Sequence, residues 1–309
     1  MIVGDGNTDK TGNSAFRWSA GTMVDLGSLP GFRSSYPNGV SNSGAVIAGS
    51  AWGWSGERNQ AVYWNTFGIT DLDGEINFLS SDANGISANG VYIIGYRERS
   101  DFTFSGFRWS PASGFHDFNS PDASGPRAIS DDGSVVVGSG SSGAFKWTSS
   151  SGVEVLPGVS SYASDVTGDG RIIVGSSEGL ATMWTASGAR ITLGALPGDS
   201  ASYASGISAD GSVIVGTSGS SRAFRITKLV DVEVDDAANE KDHNTDSYTF
   251  ADVLDDRTIV RRGHKPGEGG TLDVDVLVAE GMDDSQFELS FEATHEFEGQ
   301  SPVGREIQF

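Results

Sequence analysis

The chain has no cysteine among its 309 residues and four histidines, His116, His243, His264 and His295. Thiol nucleophiles, thiolate metal sites and disulfides are therefore absent, and any acid–base chemistry falls to four scattered imidazoles and the carboxylates. Three strings carry the spacing of a reactive or ligand-binding motif. GSSEG (175–179) has the spacing of a nucleophile elbow, which works where a strand turns sharply into a helix and a histidine reaches the serine. Here the strand-like ATMW follows, and no motif links Ser177 to a histidine. GSGSSG (138–143) resembles a dinucleotide fingerprint after the apolar run at 135–137, but that fingerprint needs a helix to aim its amides at a pyrophosphate. AFKW follows instead, again a strand. DGNTDK (5–10) places Asp5, Asn7 and Asp9 like the start of a calcium loop, with Lys10 at the position of the required glycine and Phe16 at that of the closing glutamate. The expectation is a non-enzymatic chain with no catalytic residue, no metal set and no cofactor.

Recognition chemistry is better represented. Trp52, Trp54 and Arg58 fall in one short stretch, and Tyr96, Arg97, Arg99, Phe102 and Phe104 in another. Aromatics and arginine dominate binding hot spots because they combine large contact area with a directed polar or cationic tip. Trp52, Trp54, Arg58, Tyr96, Arg97 and Arg99 form the expected ligand-binding set, for a glycan or an acidic protein. The same residues equally suit packing of these stretches on one another or on the tail of the chain.

These stretches are positioned by a repeat. A small residue, Val or Ile, Ser or Thr, two turn residues and Gly precede an apolar run that ends in Gly: GVSNSGAVIAG (39–49), GISANGVYIIG (85–95), AISDDGSVVVG (128–138), DVTGDGRIIVG (165–175) and GISADGSVIVG (206–216). Glycine at the turn supplies the positive φ that a tight hairpin demands. After each apolar run comes a second string: AFRW (15–18), AVYW (61–64), GFRW (106–109), AFKW (144–147), ATMW (181–184) and AFRI (223–226). A third short strand, such as GTMVDLG (21–27), follows five of them. No window shows sustained helical periodicity, and the 43 glycines suit tight turns better than helices.

Units of about 40 residues with four short strands match propeller blades. The expected fold is all-β: a six-unit β-propeller of four-stranded blades over residues 1–226. The strand count, three in the first unit and two clear ones in the last, also accommodates a seven-bladed parent or an open array. Trp18, Trp64, Trp109, Trp147 and Trp184 recur at one position and read as packing between blades. Between the apolar run's closing Gly and the next AFxW string lie 5–14, 50–60 and 96–105 in the first three units, but only 139–143, 176–180 and 217–222 in the last three. Equivalent connections emerge on one face, so three blades should raise a wall there, carrying the aromatic and arginine residues on a rigid scaffold.

Charge divides the chain. Residues 1–226 carry 13 Lys/Arg and 20 Asp/Glu, whereas 227–309 carry 7 and 21, within a total of −21. Such a surface repels nucleic acid, which is not an expected partner. No apolar run approaches the roughly 18 residues of a membrane span, and Met1 leads directly into Ile2 and Val3 without a charged n-region or apolar h-region, the expectation being a cytoplasmic chain or a mature or truncated form. LVDVEV (229–234) and TLDVDVLV (271–278) alternate apolar and acidic residues, the pattern of half-buried strands. The expectation for 227–309 is an acidic, partial β-sandwich of immunoglobulin-like type.

AFRW, DLGSLPG and GISADGSVIVG resemble the HAF-type extracellular repeat of bacterial secreted and autotransported proteins. The resemblance implies an extracellular or cell-surface protein and no defined activity. NEKDHNTDSY (239–248) and TIVRRGHKP (258–266) resemble the amino-terminal β-sandwich domain of animal-type transglutaminases, through His243, Thr245, Asp246, Tyr248, Val260, Arg261, Arg262 and Gly263. That family's chemistry needs a cysteine, which this chain lacks. The functional expectation is a non-enzymatic extracellular or surface binding and adhesion module. The alternative is the non-catalytic amino-terminal portion of a transglutaminase-like enzyme whose Cys/His/Asp core lies outside this chain.

Overall fold

The computed structural model describes residues 1–7, 12–53, 58–73 and 78–227, together with three strands of the acidic tail. The first 227 residues form six antiparallel sheets, each made by consecutive strands. Sheet one holds β1 (Ile2–Asn7), β2 (Asn13–Ser19) and β3 (Thr22–Asp25). Sheet two holds β4 (Ser34–Val40), β5 (Ile47–Trp52), β6 (Asn59–Asn65) and β7 (Gly68–Asp71). Sheet three holds β8 (Phe78–Ile86), β9 (Ile93–Arg99), β10 (Phe104–Ser110) and β11 (Gly114–Asp117), and a 3-10 turn, Pro121–Ala123, leads out of it. Sheet four holds β12 (Gly125–Ile129), β13 (Val135–Gly140), β14 (Gly143–Thr148) and β15 (Gly152–Val155). Sheet five holds β16 (Tyr162–Val166), β17 (Ile173–Ser177), β18 (Leu180–Trp184) and β19 (Arg190–Gly194); sheet six holds β20 (Ser202–Ile207), β21 (Val213–Ser218) and β22 (Arg222–Thr227). The last unit thus has three strands where its sequence makes two clear. In repeat terms, the described residues of sheet one correspond to the second, third and outermost strands of a blade, and those of sheet six to the inner three.

The sheets stack face to face, as propeller blades do. Side chains alternate across a strand, so a blade between two neighbours must be apolar on both faces. In the apolar run the second residue packs on the preceding blade and the third on the following one. Ile93 joins the cluster shared with sheet two, and Ile94 the cluster shared with sheet four. Ile173 and Val174 divide in the same way between sheets four and six. The Trp of the AFxW strand faces backwards: Trp64, Trp147 and Trp184 are buried against sheets one, three and four. Five clusters join six sheets in chain order. Among the described residues none joins sheet six to sheet one, and the residues that would face that interface are exposed, Val215 to 43 %, Ile2 to 58 % and Trp18 to 39 %.

Two further devices recur. A serine in or just before the first half of the inner strand reaches back to the preceding blade: the backbone N–H groups of Ala15, Ala61, Ala144 and Ala181 donate to the hydroxyls of Ser35, Ser81, Ser161 and Ser202 at 2.7–2.9 Å. Each inner strand also carries a bulge, at Pro37/Gly39, Ala83/Gly85, Pro126/Ala128, Ala163/Asp165 and Ala204/Gly206. The alternating tail segments are strands, β23 (Leu229–Val234) and β25 (Leu272–Val278), in a three-stranded sheet with β24 (Thr258–Val260). The rest of the expected sandwich, with His243, Thr245, Asp246, Tyr248 and Arg261 to Gly263, lies outside the described residues.

Candidate ligand-binding face

Each blade has two ends, and the chain treats them differently. At one end lie the Ser/Thr-x-x-Gly turns that join inner strand to second strand. Ser41, Ser87, Ser130, Thr167 and Ser208 accept, through their hydroxyls, the N–H of Val46, Tyr92, Val135, Ile172 and Val213 at 2.9–3.1 Å. The turn glycines hold φ between 71° and 78°. The turns also bond to one another across blades: Asn42 N–H to Ala88 O, Asn89 to Asp131, Asp131 to Gly168 and Gly168 to Ala209, at 2.9–3.1 Å.

The other end holds the hairpins between second and third strands. Their linkers are 53–58 in sheet two and 100–103 in sheet three, against 141–142, 178–179 and 219–221 in sheets four to six. The contrast read from the sequence persists, but much of the extra length becomes strand rather than loop. Antiparallel pairing satisfies the backbone and stiffens the projection. Glu98 pairs with Phe104, and Trp52 with Asn59.

Sequence-expected residues divide three ways. Trp52 ends β5, 45 % exposed, with its ring edge-on to Tyr36 at 5.2 Å. Arg58 is exposed at the end of the same linker. Trp54 lies outside the described residues. Tyr96 and Arg99 are half-buried in β9. Tyr96 stacks edge-on with Phe104 at 5.7 Å and stands opposite Asp82 in register; burial, and then the Asp82 carboxylate, push its phenol above the ordinary range. Arg99 donates to Asn119 Oδ1.

Arg97 corrects the expectation of a surface contact. It is 7 % exposed, with its guanidinium 3.9 Å from the centre of the Phe115 ring and paired with Asp73 and Asp117. Burial raises the pKa of Asp73, opposed by hydrogen bonding from Ser81 and by the Arg97 charge. Strand alternation places Arg97 on the face of β9 that meets sheet two, with Tyr96 and Glu98 on the face toward sheet four.

Phe102 belongs to the aromatic stretch of the sequence but lies outside the expected ligand-binding set. It stands at φ +62°, a left-handed conformation costly for a large side chain, and is 73 % exposed. The turn is tied on both sides: Phe102 N–H donates to Arg99 O at 2.9 Å, and Arg99 N–H to Thr103 O at 2.8 Å. Asp101 Oδ1 accepts both the N–H and hydroxyl of Thr103, at 3.0 and 2.6 Å. The Asp-x-Thr string was the available signal, since Asx turns favour this geometry. Asp101's carboxylate sits below its ordinary range, chiefly through the Thr103 hydroxyl.

The GSSEG and GSGSSG strings lead into strands, β18 and β14, and not into helices. Ser177 is buried, donates to Val159 O and accepts from Arg190, and β18 follows it after a two-residue turn. His116 stacks on Trp147 with ring centres 5.2 Å apart. Among the described residues no three His, Asp or Glu side chains are grouped to hold a metal, and no helix is long and apolar enough to cross a membrane.

No protein-family model and no curated protein matches the chain. Solved structures of similar form include TolB from Acinetobacter baumannii, with 11 % identity and TM-score 0.44, covering 85 % of this chain and 59 % of that one. A putative TolB from Agrobacterium tumefaciens shows 13 % identity and TM-score 0.45 over 84 % and 87 %. A nidogen/laminin complex chain shows 10 % identity and TM-score 0.43 over 70 % and 84 %. These are likenesses of general form, too distant to assign a family.

Proposed function

We propose that the chain is a non-enzymatic binding module acting outside the cell or at its surface, and that the hairpin end of sheets two and three takes a glycan. Residues 1–226 act as the recognition head and 227–309 as a separate acidic domain. The resemblance to HAF-type repeats supports the location. One observation carries the ligand site: Phe102 is held out to solvent in a left-handed backbone by four hydrogen bonds around its turn. Backbone strain of this kind persists where surrounding structure over-determines it, and points to use of the side chain. Trp52 offers a second exposed ring, Arg58 and Arg99 supply donors, and paired strands below fix their positions. Exposed aromatic faces stack on the C–H faces of a sugar ring, while guanidinium groups donate to its hydroxyls.

A glycan array read with the full chain tests this. Phe102→Ala and Trp52→Ala should each weaken the best-bound glycan by about tenfold, with the fold unchanged. Undiminished binding by both folded variants places the site elsewhere, and an array without hits against clear capture of an acidic peptide makes the ligand a protein.

A further inference from the structure

The inner strands β4, β8, β12, β16 and β20 lie each against the next and so line the axis around which the sheets stack. Their bulges bring the backbones close: a Cβ on Gly39 would come within 3.2 Å of Ile86 N, and one on Gly85 within 3.7 Å of Arg127 O. The extra residue at the bulge, Asn38, Asn84, Arg127, Ser164 or Ser205, is polar in all five. Asn38 and Asn84 are engaged within the fold, their amides donating to Ala83 O and Pro126 O of the next inner strand at 2.8 and 2.7 Å.

Arg127 breaks this series. It is exposed, and it makes no hydrogen bond or ion pair with any described residue. It is also the only cation in the five described inner strands. The two acids of those strands are turned elsewhere: Asp82 is buried and interacts with the Tyr96 phenol, and Asp165 accepts the N–H groups of Val166 and Ile207, each at 2.9 Å. Toward the hairpin end the other four strands carry Tyr36, Asp82, Tyr162 and Tyr203 at one register position, where β12 has Gly125. Sheet four thus adds no such bulk above Arg127.

An exposed guanidinium on the axis, in a head where none of the described acids pairs with it, is a place for an anion from outside. A single fork with no second cation suits one negative charge, and its parallel N–H bonds match a planar carboxylate. Resting on the glycan reading of the hairpin end, we infer that the glycan is an acidic one, a uronate-bearing oligosaccharide whose carboxylate pairs with Arg127 while its other sugars meet the exposed rings of sheets two and three. The two contacts belong to neighbouring blades, since β12 lies against β8. The net negative charge of the chain does not prevent this pairing, because at about 0.15 M salt charges more than about 8 Å apart are largely screened.

Two readouts on the full chain test this. On an array of uronate-bearing, carboxyl-reduced, sulfated and neutral oligosaccharides, the uronate-bearing ones should bind best. Reducing their carboxyl groups, or Arg127→Gln in a chain that melts with the parent, should each weaken binding by about tenfold, and the two together no further. Arg127→Lys should recover only part of the loss, since a point charge replaces the fork. Separately, the Arg127 side-chain N–H resonance, assigned by its loss in Arg127→Gln, should shift saturably with free glucuronate and not with glucose. No shift, or binding that depends on Phe102 and Trp52 but is unmoved by Arg127→Gln, overturns the inference and leaves the glycan reading standing. Sulfated glycans bound through Arg127 while uronates are ignored overturns the carboxylate assignment. A saturable glucuronate shift beside an array on which nothing binds upholds the carboxylate contact and overturns the glycan reading.

Discussion

The two ends of the blades share strands and repeat, yet one end is nearly uniform and the other varies. At the turn end, Ser/Thr-x-x-Gly is repeated five times, and backbone hydrogen bonds link each turn to the next. A substitution there disturbs two blades. At the hairpin end the linkers range from 141–142 to 53–58; the 100–103 turn is tied within its own blade, between Arg99 and Thr103, whereas the short linker of sheet five bonds to the next blade, Gly179 O accepting from Ser202 N–H at 2.9 Å. The comparison teaches that the repeat is held constant where blades are stitched together, and departs from itself in the hairpin of sheet three, whose turn is tied within one blade. Binding chemistry belongs at the second end for that reason.

The largest expected effect separates two arginines within the hairpin end. Arg97→Ala leaves the buried Asp73 and the Asp117 carboxylate without their cation and should cost about 3–5 kcal/mol in denaturant unfolding. Arg99→Ala, two residues on, should stay within about 0.5 kcal/mol. Equal losses would show that the hairpin itself, rather than the interface beneath it, carries the stability.

A smaller effect compares glycines. Gly133→Ala meets both an unfavourable φ of +78° and the Tyr92 ring of the neighbouring blade, whereas Gly21→Ala meets a φ of +82° and open space. Gly21→Ala should cost about 1–2 kcal/mol and Gly133→Ala more. Similar melting of the two would remove the claim that turns are constrained across blades.

The smallest effect is a pH dependence. Asp165 is a bulge residue whose carboxylate accepts the N–H of Ile207 in the next blade at 2.9 Å. Burial raises its pKa, so its contribution to stability is fully present below the ordinary carboxylate value and is lost as pH rises through the raised value. Asp210, in a turn, is the reverse: hydrogen bonding, first from the Ser208 hydroxyl, lowers it to about 2, so its contribution is present above the ordinary value and lost as pH falls toward 2. Asp165→Asn should therefore gain on the parent between pH 3.5 and pH 7, and Asp210→Asn should lose ground over the same interval. Urea midpoints at the two pH values decide it, and parallel profiles would contradict the assignment.

The blade plan was legible because its determinants are local and repeated. Turn glycines, alternating apolar pairs and the AFxW tryptophans each report a position, and Trp64, Trp147 and Trp184 occupy the blade interfaces their spacing implies. Arg97 was misread because its partners, Asp117 at the end of β11 and Asp73 two residues past β7, are distant in sequence, and no local pattern marks them as neighbours. The closing glycines were visible, but their cause was not: the bulge at Ala163/Asp165 that puts a carbonyl over Gly175 depends on register between strands. The left-handed turn that presents Phe102 was hidden for the opposite reason, since its Asp-x-Thr string occurs once and repetition gave it no emphasis.

Residue-resolved hydrogen exchange tests the contrast between the two ends most directly. The cross-blade amides of Asn89, Asp131 and Gly168 should exchange together, near the limit set by global unfolding, while Phe102 and Thr103 exchange much faster through local opening. Cross-blade amides exchanging as fast as those of Phe102 and Thr103, or each at its own unrelated rate, would contradict the account.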